Sequence, residues 1–226
     1  MFKNKFTLGA VLALGLTPVS AMAQSADWSG TYVGAAFGYG SANYDILVDL
    51  PAAPLSANLP DLGGQGFVGS LQAGYRQQFD QFILGGQIDG TWGNIENDTS
   101  LNAPGVPFDL NSTLAMTSMY TLSLRAGYLV NPETQIYGLV GYSRGTFDGD
   151  LTSSSTPGIN TDYSYDLNGV TFGGGLETLV TDAVSVGIEY KMTNFDDNNL
   201  ADFGGGNRID LETNVQTVQV FMNYRF

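Results

Sequence analysis

Between Asn214 and Phe226 every second residue from Val218 onward is apolar or aromatic: Val218, Val220, Met222, Tyr224 and Phe226. The residues between them, Thr217, Gln219, Asn223 and Arg225, are polar, and Phe221 is the exception. A period of two places successive side chains on opposite sides of an extended chain, so this stretch is a β-strand with one oily face and one wet face. Seven earlier stretches repeat the design: Tyr32 to Tyr44, Gly66 to Phe79, Gln81 to Ile95, Leu114 to Val130, Thr134 to Phe147, Tyr165 to Leu179 and Ala183 to Asn194. The stretch from Thr134 is the least regular. Ile136, Val140 and Tyr142 share one face, while Tyr137 and Leu139 fall on the other.

What covers the oily faces is decided by the rest of the chain. Lys3 and Lys5 precede an apolar run from Phe6 to Val19, and Ala21-Met22-Ala23 follows. This is the layout of a cleaved secretory leader, too short in its apolar core to span a membrane. It divides the chain into residues 1–23, a signal peptide, and residues 24–226, one domain. Loss of the leader's two lysines takes the net charge from −14 to −16, which disfavours nucleic acid as a partner. There is no cysteine, so an exported domain of this size must hold together without disulfides. No second apolar run approaches the roughly 20 residues of a transmembrane helix. In lipid only helices and closed barrels satisfy every backbone polar group, so a membrane-embedded form of this chain must be a closed barrel.

The connections alternate in length. Short turns lie near Asp80, at Asn131-Pro132-Glu133 and at Thr181-Asp182. The others, Asp45 to Gln65, Asn97 to Thr113, Asp148 to Tyr163 and Phe195 to Thr213, are long and rich in Gly, Asn, Ser, Asp and Pro. Several long structureless loops count against a compact soluble domain but suit an outer-membrane barrel, with short turns on the periplasmic side and long loops outside. Aromatics mark both borders of the oily band. Tyr39, Trp92, Tyr120 and Tyr142 fall near the long-loop ends, and Tyr75, Phe79, Phe82, Tyr128, Tyr224 and Phe226 near the short turns. Bilayer interfaces select such paired girdles.

Particular stretches carry a resemblance: Trp28-Ser-Gly-Thr-Tyr-Val-Gly-Ala, Gly85-Gly-Gln-Ile-Asp-Gly, Leu124-Arg-Ala-Gly-Tyr, Gly173-Gly-Gly-Leu-Glu and the closing Tyr224-Arg-Phe226. With them the whole mature chain resembles the small porin-like, opacity-type outer-membrane barrels of alphaproteobacteria, related to the OmpA transmembrane domain. The resemblance implies an all-β fold, an eight-stranded antiparallel up-and-down transmembrane barrel in a Gram-negative outer membrane. It also implies that the terminal aromatics Tyr224 and Phe226 belong to a signal read by the barrel-assembly machinery. Lipid and lipopolysaccharide are the surroundings it implies, and a loop-bound surface partner stays unidentified.

The inner face of such a barrel carries Arg76, Arg125 and Lys191 against Asp89, Glu177 and Glu189, joined by Gln72 and Gln87. Three charges of each sign balance. Buried charges must be paired, and an eight-stranded barrel is just wide enough for side chains to fill, so the expectation is a sealed polar core; a narrow gated pore is the alternative. If Phe79 faces Phe82, Gly74 faces Gln87 and Gln72 faces Asp89. If Thr178 faces Val184, Gly173 faces Glu189. The partner of Arg125 stays open. Barrel enzymes that use histidine are no guide, because the chain has none, and no cysteine nucleophile exists either. No catalytic or cofactor-binding residue is expected. The loop acids, among them Asp196-Asp197-Asn198-Asn199, read as a solvated surface, with calcium binding the sharper alternative; that run lacks the alternation of an EF-hand, and no metal site is expected. The function expected is structural: envelope integrity and presentation of acidic loops. A low-conductance porin or a loop-mediated adhesin is the alternative.

Overall fold

A computed structural model describes residues 27–50, 55–102, 109–152, 160–196, 198–204 and 207–226. The leader expected over residues 1–23 lies outside them. The described chain is all strand: β1 Gly30–Leu50, β2 Leu55–Phe79, β3 Phe82–Asn102, β4 Asp109–Asn131, β5 Thr134–Thr152, β6 Asn160–Leu179, β7 Val184–Phe195, β8 Asn198–Gly204 and β9 Asn207–Arg225. Every neighbouring pair from β1 to β7 is antiparallel, β7 pairs with β9, and β9 returns to β1. The ring therefore closes on eight staves, and over the part where all eight pair there is no free sheet edge to satisfy. β8 continues the line of β7 past Asp196 and pairs with the far part of β9.

The two faces sort as the alternation predicts. Val33, Phe37, Leu71, Leu84, Ile88, Leu122, Leu124, Val140, Phe172, Ile188 and Val220 all stand exposed on the outside. A soluble protein could not present such a belt, whereas lipid covers it at no cost. All ten girdle aromatics are outward, and several are paired edge to face: Trp92 with Tyr120 and Tyr39 with Phe67 at one border, Phe82 with Tyr128 and Tyr224 with Phe226 at the other. Phe82 and Trp92 are ten residue steps apart; at ~3.3 Å per step and a tilt of ~40° the band is about 25 Å tall, the height of the apolar band of an outer-membrane barrel.

Two expectations need correction. The long connections are not structureless. Their strands run on as paired ribbons, with Leu50 opposite Leu55, Asn102 opposite Asp109 and Thr152 opposite Asn160. Once two strands are in register, continuing the ladder pairs backbone groups that would otherwise need water, and outside the membrane neither face must be apolar, so the alternation fades while the strand persists. The second correction is register. Thr178 faces Val186, not Val184, so Gly173 faces Lys191 and Gly175 faces Glu189. The turn is longer than assumed. Val180 N–H and Thr181 N–H both donate to Val184 O, and Thr181 Oγ1 accepts from the amides of Ala183 and Val184. A slip of two residues keeps every side chain on its face, so the alternation could not detect it. The β2–β3 register is the conditional one: Phe79 faces Phe82, Gly74 faces Gln87 and Gln72 faces Asp89. Asp80, at φ 52°, makes that tight turn.

Candidate functional site in the lumen

Inward side chains fill the barrel in layers. At the short-turn end Trp28, from the segment before β1, packs on Ile83 and Leu129, with Leu179 against them. Next comes a cluster centred on Glu177, which is fully buried. Its Oε1 accepts from Arg76 Nη1 at 2.9 Å, Asn223 Nδ2 at 2.9 Å and Ser185 Oγ at 2.5 Å. Its Oε2 accepts from Gln135 Nε2 at 3.1 Å and Arg125 Nη2 at 3.4 Å. Five donors saturate one carboxylate, which is what a buried charge needs in place of water. Gln72 and Gln87 tie the cluster upward. Gln72 Nε2 donates to Asn223 Oδ1 at 2.6 Å, and Gln87 Oε1 accepts from Arg125 Nη1 at 2.8 Å and Tyr32 Oη at 2.7 Å.

A second cluster sits one step higher. Lys191 Nζ lies 3.0 Å from Asp89 Oδ2 and 3.4 Å from Glu189 Oε1, all three buried. The lower cluster holds two cations on one anion, and the upper one two anions on one cation. Tyr137 joins the two unequal sets. Its ring lies under the Arg125 guanidinium, 3.7 Å from the centroid, and its hydroxyl donates to Glu189 Oε2 at 2.8 Å. An aromatic face attracts a cation and a phenol proton attracts a carboxylate, so one side chain couples the surpluses. This accounts for the irregular pattern of β5. Leu139 of the same strand and Phe221 of β9 pack with Tyr137 and against Ala36. Inward glycines give the aromatics room. A Cβ on Gly74 would stand 2.6 Å from the Tyr32 ring, and one on Gly175 would stand 2.5 Å from Tyr137 Oη.

Above the charges runs a belt of hydroxyls. Thr121, Ser143, Thr171 and Thr193 form an unbroken chain with contacts of 2.8, 2.5 and 2.8 Å, and Ser70 pairs with Thr91 at 2.8 Å. The lumen then turns apolar again. Ala42, Val68, Ile95, Met116, Met119, Phe147, Leu167, Phe195 and Val215 form one buried cluster, with Phe147 and Phe195 edge to face at 5.2 Å. Tyr165 stacks on Phe147 from the side.

All eight inner polar residues singled out from the sequence, Gln72, Arg76, Gln87, Asp89, Arg125, Glu177, Glu189 and Lys191, are buried in the lumen. Arg125, left without a partner, meets Gln87, Tyr32 and Glu177. The sequence pattern puts Tyr137, Ser185 and Asn223 on the inner face without showing their partners, and it does not single out Trp28, Gln135 or the upper apolar layer. Counting the same inward positions on toward the long loops would have reached Val68, Ile95, Met119, Phe147, Leu167, Phe195 and Val215. Met116 escapes that count because the β4–β5 register shifts between Met116 and Ser118. Trp28 opens one of the family-like stretches, but alternation says nothing of its burial, since it lies ahead of its strand. Among the described residues no three carboxylates converge as a metal would require; Asp197 lies outside those residues. Tyr224 and Phe226 sit on the outer face at the short-turn border.

Residues 9–226 match the family model of the outer membrane protein beta-barrel domain. The 31 kDa outer-membrane immunogenic proteins of Brucella melitensis and Brucella suis are each 25% identical over 214 residues, covering 92% of this chain and 88% of theirs. The crystal structure of the outer membrane protein OprG from Pseudomonas aeruginosa has the same fold, with a TM-score of 0.54 at 14% identity over 88% of this chain and 97% of that one.

Proposed function

Because the chain belongs to the outer membrane protein β-barrel domain family and resides in the outer membrane, we propose that it acts there as a closed, structural barrel that holds surface hairpins rather than passing solutes. The observation that carries this reading is the layering of the lumen. A charge-balanced polar layer is capped at the short-turn end by Trp28, Ile83, Leu129 and Leu179, and at the other end by nine apolar side chains. An apolar constriction that excludes water also excludes ions. Planar-bilayer recording is the test. The refolded protein gives no steps above the lipid baseline; steady, salt-dependent unitary currents would refute closure and favour the porin alternative.

A second reading has its own support. The ribbons β1–β2, β3–β4 and β5–β6 continue past the upper aromatic border as ordered ladders. Ladders, unlike slack loops, hold a surface in a fixed shape for a partner, at a lower ordering cost. Shortening one ribbon by paired deletion and measuring binding to host or environmental surfaces tests it; binding unaffected by removal of each ribbon in turn would end the idea. Neither reading involves catalysis, in a chain without histidine or cysteine. Contacts with lipopolysaccharide and with the barrel-assembly machinery, the latter through Tyr224 and Phe226, are part of the proposal.

A further inference from the structure

We propose that Asp27–Gly30 is a gate across the short-turn mouth, with Trp28 as its moving part, opening a small aqueous vestibule onto Arg76 and Glu177. Among the described residues, Trp28 is the only fully buried side chain carried outside the β-ladder. Every other lumen residue described is fixed by the sheet, whereas Trp28 can leave without breaking one inter-strand hydrogen bond. What holds it is its packing on Ile83, Leu129 and Leu179 and a set of single contacts, among them Arg225 Nη1 donating to Ser29 O at 3.4 Å. Its amide donates to Gln78 Oε1 at 2.8 Å, its indole Nε1 to Pro132 O at 3.0 Å, and its carbonyl accepts from Arg76 Nε at 3.0 Å. Ser29 Oγ accepts from Gln78 N at 3.1 Å and Gln77 Nε2 at 3.0 Å, and Asp27 accepts from Ser29 N at 2.8 Å. Gly30, at φ +134°, supplies a hinge that a side chain would strain.

The space around Arg76, which the indole covers, is suited to water. Arg76 lies under the indole, its guanidinium 4.7 Å from the Trp28 ring, and Arg76 Nη2 is buried without a partner. The Arg76 side chain also borders a void of about 10 Å³ shared with Arg125, Tyr32, Gln135, Ile83, Gly85 and Gly127, room for roughly one water. When Trp28 swings out, Arg76 loses a ring face and an acceptor, and only water can replace them. The apolar layer at the far end is not touched by this motion. The gate therefore admits water to a blind vestibule lined by two guanidiniums and one carboxylate, and the barrel stays closed to through-flow.

The chain's lack of cysteine makes thiol accessibility a clean test. Ser185→Cys places a thiol at the Glu177 cluster, and Ser70→Cys places one in the hydroxyl belt above it. A charged methanethiosulfonate reagent is applied to vesicle-embedded protein from the short-turn side. With the strap intact, Ser185→Cys reacts slowly and Ser70→Cys more slowly still. Added to Ser185→Cys, Asp27→Ala with Ser29→Ala loosens the latch and speeds reaction by about tenfold, Trp28→Gly speeds it further, and added indole refilling the vacated cavity slows it again. A Ser185→Cys rate no faster than Ser70→Cys in the latch variant means a fixed plug and overturns the gate. Parallel acceleration of both thiols means general unfolding and overturns it too. Conductance is read on Trp28→Gly in the same vesicles. Currents there would refute the closed-lumen reading through its upper layer, independently of the gate.

Discussion

Replacing Glu177 by Gln changes one atom and tests whether the lumen is held by its central charge. The substitution turns one oxygen into a donor, which must then face donors. At the Oε1 position it would meet Arg76, Ser185 and Asn223, and Asn223 cannot turn its amide because its Oδ1 already accepts from Gln72. At Oε2 it meets Gln135, which can turn, and Arg125, which keeps Gln87 and Tyr32. The amide therefore settles at Oε2, giving up one charge-assisted bond, and both arginines lose the anion between them. Breaking a buried pair costs about 3–5 kcal/mol, and the retained shape and remaining bonds favour the lower end, about 3 kcal/mol or roughly a hundredfold in the folding equilibrium. Urea titration of the refolded barrel, followed by the gel shift between folded and heat-unfolded protein, measures it. The double variant with Arg76→Met should lose less than the sum of the single changes, since removing both partners leaves less charge stranded. A loss below about 1 kcal/mol for Glu177→Gln would show that water already screens the cluster, and the picture of a dry, saturated carboxylate would be wrong.

Other outcomes follow from the same geometry. Lys191→Met strands Asp89 and Glu189 together in the upper cluster and should cost about 3 kcal/mol in the same titration; an unchanged midpoint would mean the two acids do not depend on the ammonium. Gly175→Ala drives a methyl onto Tyr137 Oη and the backbone oxygen of Ile188 and should cost about 1–3 kcal/mol, whereas Gly138→Ala, whose Cβ on the outer face would meet only Gly173 O at an ordinary 3.9 Å, should be close to neutral. The Ser29 backbone amide, then its hydroxyl, hold the Asp27 carboxyl below its ordinary value of 3.8. The stability this adds is complete above that value and lost as pH falls through the lower folded one, so acrylamide shielding of Trp28 in Trp92→Phe protein should persist from about pH 8 to 5 and weaken only below about 4. Weakening already near neutrality would sink the assignment. Phe226→Ala should cut the amount of barrel assembled in cells while leaving the urea midpoint of refolded protein unchanged, because Phe226 is 76% exposed and packs on Tyr224 alone among the ring contacts described.

The outer face was legible because lipid imposes one rule on every strand and the pleat repeats it every second residue. Even the misfits were visible: Tyr137, Leu139 and Phe221 broke the alternation, and the structure groups them at one level of the lumen. What their grouping does could not be read, since Tyr137 couples Arg125 on β4 to Glu189 on β7, and no periodicity reports which staves face one another across a barrel. The β6–β7 register was hidden because Val180 and Thr181 could belong to strand or turn without moving any residue to the wrong face. The ribbons beyond the girdles were hidden for the opposite reason: water accepts either face there, so strand and loop compositions converge.

The apolar layer formed by Met116, Met119, Phe147, Phe195 and their neighbours has a consequence for how such a protein can diversify. It insulates. A side chain acquired in a hairpin above it cannot reach through the packed layer to touch the ion pairs of Glu177 or Lys191 below, nor lead water to them. Selection can therefore rewrite the surface ribbons residue by residue without repacking the interior, and a scaffold divided this way can vary what it exposes while its membrane-spanning wall stays constant.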